Sequence, residues 1–239
     1  MKINKDSVSY DFYEEIAEYH LNKVDEKPIL KYYERPSLLS LLPDVSSMNV
    51  LDAGCGSGWY TNYLLENNAK VTAIDYSKQM LEMTKKRVGD KVVLKQHDLN
   101  ENLDFFEDNA LDLILASLSL HYIKDWNRLM IDFYRILKED GYMIFSTHHP
   151  ILEYQNSTSK DYFSVELLSD KWTVNNEIIE VSYYRRPLNE TFKSILLAGF
   201  SIEDILEPMP SEELRDLDPK EYEHLASGPR FLFMKCKKA

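Results

Sequence analysis

Three glycines at alternate positions, Gly54, Gly56 and Gly58, follow the apolar run Asn49 to Ala53, with carboxylates nearby in sequence at Asp52 and Asp75. Glycine adopts positive φ without steric cost and lets backbone amides approach a ligand closely. The residues Trp59 to Glu66 read as a helix whose N-terminus would face that ligand. Asp75 ends a second apolar run, Val71 to Ile74, a place from which a carboxylate can accept hydrogen bonds from ribose hydroxyls. These residues together suit something anionic or nucleotide-like. A second set, His121, His148 and His149, follows two further apolar runs. An ordinary imidazole pKa of about 6.5 lets such a side chain take a proton from an attacking hydroxyl or amine.

The spacing separates two nucleotide-binding chemistries. Dinucleotide sites favour Gly-x-Gly-x-x-Gly, whereas this turn is Gly-x-Gly-x-Gly with Asp52 two positions before the first glycine. A carboxylate there repels a pyrophosphate and suits a cation. The segment Val50 to Gly58 closely resembles the first motif of the Rossmann-like S-adenosylmethionine-dependent methyltransferases, whose cofactor carries a sulfonium, an ammonium and no phosphate. Val71 to Asp75 resembles the second motif of that family and Gln96 to Leu99 the third, while Leu111 to Ser117 and Leu137 to Ser146 resemble the next helix end and strands. The resemblance spans roughly residues 48–150 and is closest to the small-molecule branch that includes the ubiquinone and menaquinone methyltransferases and the type 11 domain.

This resemblance implies S-adenosylmethionine as cofactor and methyl transfer to an O, N or C atom of a small-molecule acceptor. It implies cofactor contacts from Asp52, Gly54, Cys55, Gly56 and Gly58, from Asp75 and Tyr76, from Asp98 and Leu99 at the adenine, and from Ser117. Met80 is a candidate to pack on the adenine face, and an N-terminal leader carrying Tyr13 and Arg35 is expected to close over the cofactor. Two rival functions use the same residues: an NAD(P)-dependent oxidoreductase, for which Asp75 serves equally well, and a protein that binds the cofactor without turnover. The strand-four sequence lacks the Asn/Asp-Pro-Pro-Tyr signature of many nucleobase-methylating relatives, which favours a small metabolite.

Composition points the same way. The chain has 239 residues, enough for one domain with an added cover, and a net charge of −12, which disfavours a phosphate-backbone partner. No apolar run reaches the roughly 18 residues needed to span a bilayer, and Met1 to Tyr10 lacks a signal-peptide core, so a cytoplasmic monomer or homodimer is expected. Cys55 and Cys236 stand outside any metal spacing, and consecutive residues such as His148 and His149 point to opposite faces of a strand, so no metal site is expected.

To position these groups the chain must alternate strands and helices. The apolar patterning predicts strands at 49–53, 70–75, 92–97, 111–117 and 141–147, with helices at 59–66, 77–88 and 126–138, Gly141 following the last as a helix stop. Such alternation implies a doubly wound, mostly parallel α/β sheet with helices on both faces, which a helix near 188–198 and strands near 200–206 and 230–236 extend to seven strands. Residues 1–45 read as a helical cover, broken at Pro28, with a second helix from Pro36 to Leu42. After the fifth strand, residues 151–186 read as an inserted lid containing a hairpin about Asn175-Asn176. Its Tyr154, Tyr162, Phe163, Tyr183, Arg185 and Arg186 are candidates to wall an acceptor and pair an acidic group on it.

Overall fold

The computed structural model describes residues 24–174 and 177–238. Tyr13 and the rest of the first 23 residues lie outside them, as does the Asn175-Asn176 turn. A helical run begins at Pro28 and continues to Ser40, its last part being α1 (Arg35–Ser40). Pro28 therefore starts a helix where a break was expected, because a proline at the first turn gives up only an amide that has no helical partner. Pro36, inside the run, has no amide for the carbonyl four residues back. The preceding turn, Leu30–Glu34, widens to a π-helix, and Tyr32 O accepts instead from Ser211 N at 2.7 Å.

The alternating part follows in chain order: β1 (Asn49–Ala53), α2 (Trp59–Glu66), β2 (Lys70–Asp75), α3 (Lys78–Val88), β3 (Val93–Gln96), β4 (Leu111–Ser117) and α4 (Trp126–Ile136). The Ser77 and Asp125 side chains cap α3 and α4 by accepting from Met80 N and Arg128 N. Next come β5 (Leu137–His148), α5 (Pro150–Gln155), β6 (Glu166–Val174), β7 (Glu177–Arg185), α6 (Leu188–Leu197) and β8 (Phe200–Leu206), and then α7 (Glu212–Leu217), α8 (Pro219–Ala226) and β9 (Phe231–Lys238).

Seven strands form one sheet in the order β3-β2-β1-β4-β5-β9-β8, parallel from β3 to β5, with β9 antiparallel to both of its neighbours. Successive residues of β4 alternate between two apolar cores, Ile114 and Ala116 on one face and Leu113 and Leu115 on the other, so the sheet is buried on both sides. The chain leaves β1 toward β2 and later returns to place β4 on the other side, opening a crevice at their carboxyl ends.

Gly141 is not a helix stop. The helix ends at Ile136, and Leu137 is already extended and pairs with Leu111. Between the pairs Leu111↔Leu137 and Leu113↔Tyr142, one residue of β4 stands against four of β5. In this bulge a Cβ on Gly141 would lie 2.8 Å from Lys138 O and 3.2 Å from Asp112 O, which is why glycine is needed there. Strands β6 and β7 form a separate antiparallel pair, from Glu166↔Arg185 to Val174↔Glu177. Strand β7 packs on α5 and on the short turn Leu120–Tyr122 beyond β4.

Candidate active site

The crevice opens into a cavity of about 580 Å³ bounded by the sheet edge, the N-terminal helical run and the β6–β7 hairpin. Local chemistry shapes its floor. Gly54, Gly56 and Gly58 have φ of 82°, 53° and 81°, and the turn is pinned to β2 because Gly54 N and Cys55 N both donate to Ile74 O. Each glycine has a different reason for lacking a side chain. A Cβ on Gly54 would lie 2.4 Å from Ser119 Cβ, and one on Gly58 would lie 2.7 Å from Thr84 Cγ2. Gly56 lines the cavity with nothing within 4 Å of where a Cβ would stand. Gly58 does not line the cavity; it lets α2 pack on α3, so expecting it to approach a ligand misjudges its place.

Asp75 lines the cavity, accepting from Gly56 N at 2.8 Å through Oδ2 and from Ser77 N at 2.9 Å through Oδ1. It therefore joins the glycine turn to the start of α3. Tyr76 follows it on the wall, its carbonyl held by Gln96 Nε2 at 3.0 Å. Asp98 and Leu99 form the next part of the wall, with Asp98 Oδ1 accepting from Asn100 N and Asn100 Nδ2. Met80 is fully buried and does not reach the cavity, because one turn into α3 its side chain points into the core.

Two buried carboxylates also line the cavity. Asp52 is 1 % exposed and accepts from Thr61 Oγ1 at 2.5 Å; burial raises its pKa to about 7, against the opposing pull of that hydrogen bond. Glu34, which nothing in the sequence singles out, enters from the N-terminal helical run. It accepts from Ser146 Oγ at 2.7 Å and from Ser117 Oγ and Tyr60 Oη at 2.8 Å. Burial raises its pKa too, and the three hydroxyls oppose the rise. Arg35 also lines the cavity, donating to Asp25 O and Oδ1 and standing 4.3 Å over the Trp59 ring. The Cys55 thiol is buried, and burial, with the charges of Asp75 and Asp52 acting in the same direction, pushes its pKa well above the ordinary value, so it stays protonated.

His121 and His148 meet in the cavity wall beside Tyr183 of the hairpin, ring centroids 3.8 Å apart and planes 14° from parallel. Burial holds both neutral, His148 down to about 4 and His121 well below its ordinary value. Leu118, just before this turn, takes φ 47°, an uncommon conformation for a non-glycine residue that clusters at functional sites. His149 does not reach the cavity. It caps α5 by accepting from Ile151 N through Nδ1, while Nε2 lies 2.6 Å from Glu207 Oε1.

The hairpin differs from its sequence expectation. Arg185 does not face an acceptor: it donates to Tyr162 O, Asp161 O and Ser164 O at 2.7–3.0 Å and lies over the Tyr154 and Tyr162 rings. Arg186 donates to Ile123 O and Lys124 O and stands over Trp126. Tyr154 and Tyr162 pack edge to face on each other, and Phe163 is exposed. The reason is backbone satisfaction: irregular chain between α5 and β6 leaves carbonyls to which Arg185 donates, and the chain just before α4 leaves those to which Arg186 donates. Of the expected wall residues Tyr183 does line the cavity, and the hairpin and α5 add Glu153, Asp170, Leu152 and Asn156. Among the described residues no group of His, Cys, Asp or Glu could hold a metal ion, and no helix is long and apolar enough to cross a membrane.

Sheet order, glycine turn and the acid ending β2 define a Rossmann-like nucleotide-binding site. A family model described as a methyltransferase domain matches residues 51–145. A malonyl-[acyl-carrier protein] O-methyltransferase of Buchnera aphidicola is 30 % identical over 73 % of this chain and 68 % of its own. An uncharacterized protein of Haemophilus influenzae is 28 % identical over 98 % of both chains. The crystal structure of an S-adenosylmethionine dependent methyltransferase from Mesorhizobium loti superposes with a TM-score of 0.71 at 25 % identity, covering 87 % of this chain and 99 % of that one. The chain belongs to the class I S-adenosylmethionine-dependent methyltransferases.

Proposed function

We propose that the cavity holds S-adenosylmethionine along the glycine turn and a small-molecule acceptor beneath the hairpin, with the methyl group passing between them. The observation that carries this reading is the division of one cavity into two chemistries. Gly56, Asp75, Asp98 and the buried Asp52 and Glu34 lie toward the glycine turn, and a neutral histidine pair lies at the end covered by the hairpin. The cofactor, when bound, supplies an electrophilic methyl on a sulfonium whose leaving group is a neutral thioether.

The chain's own residues bind and orient. Asp75 accepts from the ribose hydroxyls, Asp98 and Leu99 meet the adenine with Tyr76 beside them, and the Gly54-Cys55-Gly56 backbone bounds the methionine part with Ser117 and Arg35. The carboxylates of Asp52 and Glu34 complement cationic charge at that end. Residues 24–40 act as the described part of an N-terminal cover, and residues 151–186 as a lid that excludes water, which is most of what an in-line displacement with a good leaving group requires. His121 and His148, uncharged at neutral pH, are the candidate proton acceptors for an acceptor that must lose a proton.

The net charge of −12 supports a small molecule over a nucleic acid, and we place the enzyme in the cytoplasm as a monomer or homodimer. The O-methyltransferase and demethylmenaquinone methyltransferase names of similar proteins support a small acceptor group. Calorimetry with S-adenosylhomocysteine tests the cofactor half: Asp75→Ala is expected to weaken binding by about 1.5–3 kcal/mol. Unchanged affinity would remove Asp75 from the site, and tight NAD binding with no heat from S-adenosylhomocysteine would overturn the assignment.

A further inference from the structure

The covered end of the cavity has a charge pattern that selects among acceptors. Glu153, 7 % exposed, lies there with Asp170, whose negative charge acts on His148, Glu153 and Tyr183 alike. Tyr183 Oη donates to Glu153 Oε2 at 2.5 Å, and His148 Nδ1 is 3.5 Å from Glu153 Oε1. Arg185 and Arg186 give their hydrogen bonds to backbone carbonyls, although the Arg186 charge still acts on His121. Arg230, which lines the cavity as Lys27 does, has Nη2 on His224 O and Ser227 Oγ, while its buried Nε has no hydrogen-bond partner among the described residues. A buried carboxylate without a matching cation is costly.

A second observation is independent of the acids. His121 is 2 % exposed and lines the cavity, yet its Nδ1 has no hydrogen-bond partner among the described residues; Nδ1 of His148 likewise has none. With the proton on Nε2, Nδ1 of His121 offers a lone pair to a donor, whereas Nδ1 of His148 faces Glu153 Oε1 and is placed to donate toward it. Aromatic faces complete the enclosure: Tyr183 stands edge to face on His148 at 4.7 Å, Tyr122 lies 4.3 Å from His121, and Phe231 lies 6.1 Å from His148.

Carboxylates, an acceptor nitrogen and aromatic faces around one space are complementary to an ammonium ion, which carries three donors and a charge that aromatic faces attract. They repel a carboxylate. Resting on the methyltransferase reading above, we propose that the acceptor is an amine, bound as its ammonium ion between Glu153 and Asp170 beside His121 and His148, and methylated on nitrogen. The ammonium gives a proton to the Glu153 carboxylate. The freed nitrogen lone pair forms the N–C bond as the methyl–sulfur bond breaks, and that bond's electrons remain on sulfur as a neutral thioether. Glu153 then returns its proton to solvent, so ammonium and sulfonium become methylammonium, thioether and one proton. The acceptor thus differs in charge from the malonyl group in the name of the similar Buchnera enzyme.

The test uses two probes of similar shape and opposite charge, phenethylamine and 3-phenylpropionate, titrated by calorimetry into the full-length protein saturated with S-adenosylhomocysteine. The amine is expected to bind at least about tenfold more tightly than the acid, and Glu153→Gln to remove that preference. Asp170→Asn, at an exposed position, is expected to reduce it and serves if the first variant does not fold. With trideuteromethyl S-adenosylmethionine, label is expected on the amine nitrogen. Preference for the acid, binding of neither probe, or an amine preference that survives in a folded variant would overturn the inference. Absence of S-adenosylhomocysteine binding would instead defeat the methyltransferase reading itself.

Discussion

The imidazole of His148 lies almost flat against that of His121, with centroids 3.8 Å apart, so two positive charges at this separation are excluded by repulsion as well as by burial. The folded pKa of His148 is about 4 against 6.5 for the free side chain. A base whose pKa falls on folding contributes stability that is full above the unfolded pKa and is lost as pH falls toward the folded one. Stability is therefore expected to decline between about pH 6.5 and 4, and His148→Gln to flatten that part of the curve in denaturant melts. The imidazole resonances of His148 should stay at their neutral positions down to about pH 5; a midpoint near 6.5 would refute the buried neutral pair.

Asp52 has the opposite sign. Its folded pKa of about 7 exceeds the ordinary 3.8, so the folded protein holds a proton that the unfolded chain releases. That contribution is full below about pH 4 and disappears as pH rises through about 7. Asp52→Asn is expected to lessen the loss of stability over this interval. A cation bound beside Asp52 favours the carboxylate, so S-adenosylmethionine binding near pH 7 should release protons. The calorimetric heat should then vary with the ionisation enthalpy of the buffer, and do so less in the variant.

The glycine turn separates packing from binding. Gly58→Ala places a Cβ 2.7 Å from Thr84 at φ 81°, and the expected result is a lower Tm, with strain of about 1–3 kcal/mol. Gly56→Ala meets no neighbour, so its cost to folding is held to the left-handed conformation, about 1–2 kcal/mol, while its methyl group stands in the cavity. S-adenosylhomocysteine affinity should fall in Gly56→Ala much more than in a folded Gly58→Ala. The reverse order would show that the turn approaches its ligand elsewhere.

Arg185 is expected to hold the lid together and to leave the cofactor end alone. Arg185→Ala deprives Tyr162 O, Asp161 O and Ser164 O of their donor, at about 1–3 kcal/mol for each one left buried and unsatisfied. Limited proteolysis should show faster cleavage between residues 156 and 186, with S-adenosylhomocysteine affinity close to wild type. Lysine at 185 should not restore protection, because a single ammonium cannot reproduce the planar fork. Loss of cofactor binding equal to the loss of protection would tie the hairpin to the cofactor end.

Local patterns in the chain were sufficient for the sheet and for the glycine turn with Asp75 beside it. Strand β1, the glycine turn, helix α2 and Asp75 lie within one short stretch, and their periodicity and backbone demands are properties of neighbouring residues. Gly141 misled at that level, since the bulge opposite Leu111 comes from a segment remote in sequence. The rest of the cavity wall was illegible for the same reason. Glu34 reaches Ser146 across 112 positions, His121 meets His148 through adjacent parallel strands, and the guanidiniums of Arg185 and Arg186 are consumed by carbonyls at 161–164 and 123–124. A residue's type determines which bonds it can make. Which partner it meets, and so whether its charge faces a ligand or a carbonyl, is decided only when the sheet brings distant segments to one edge.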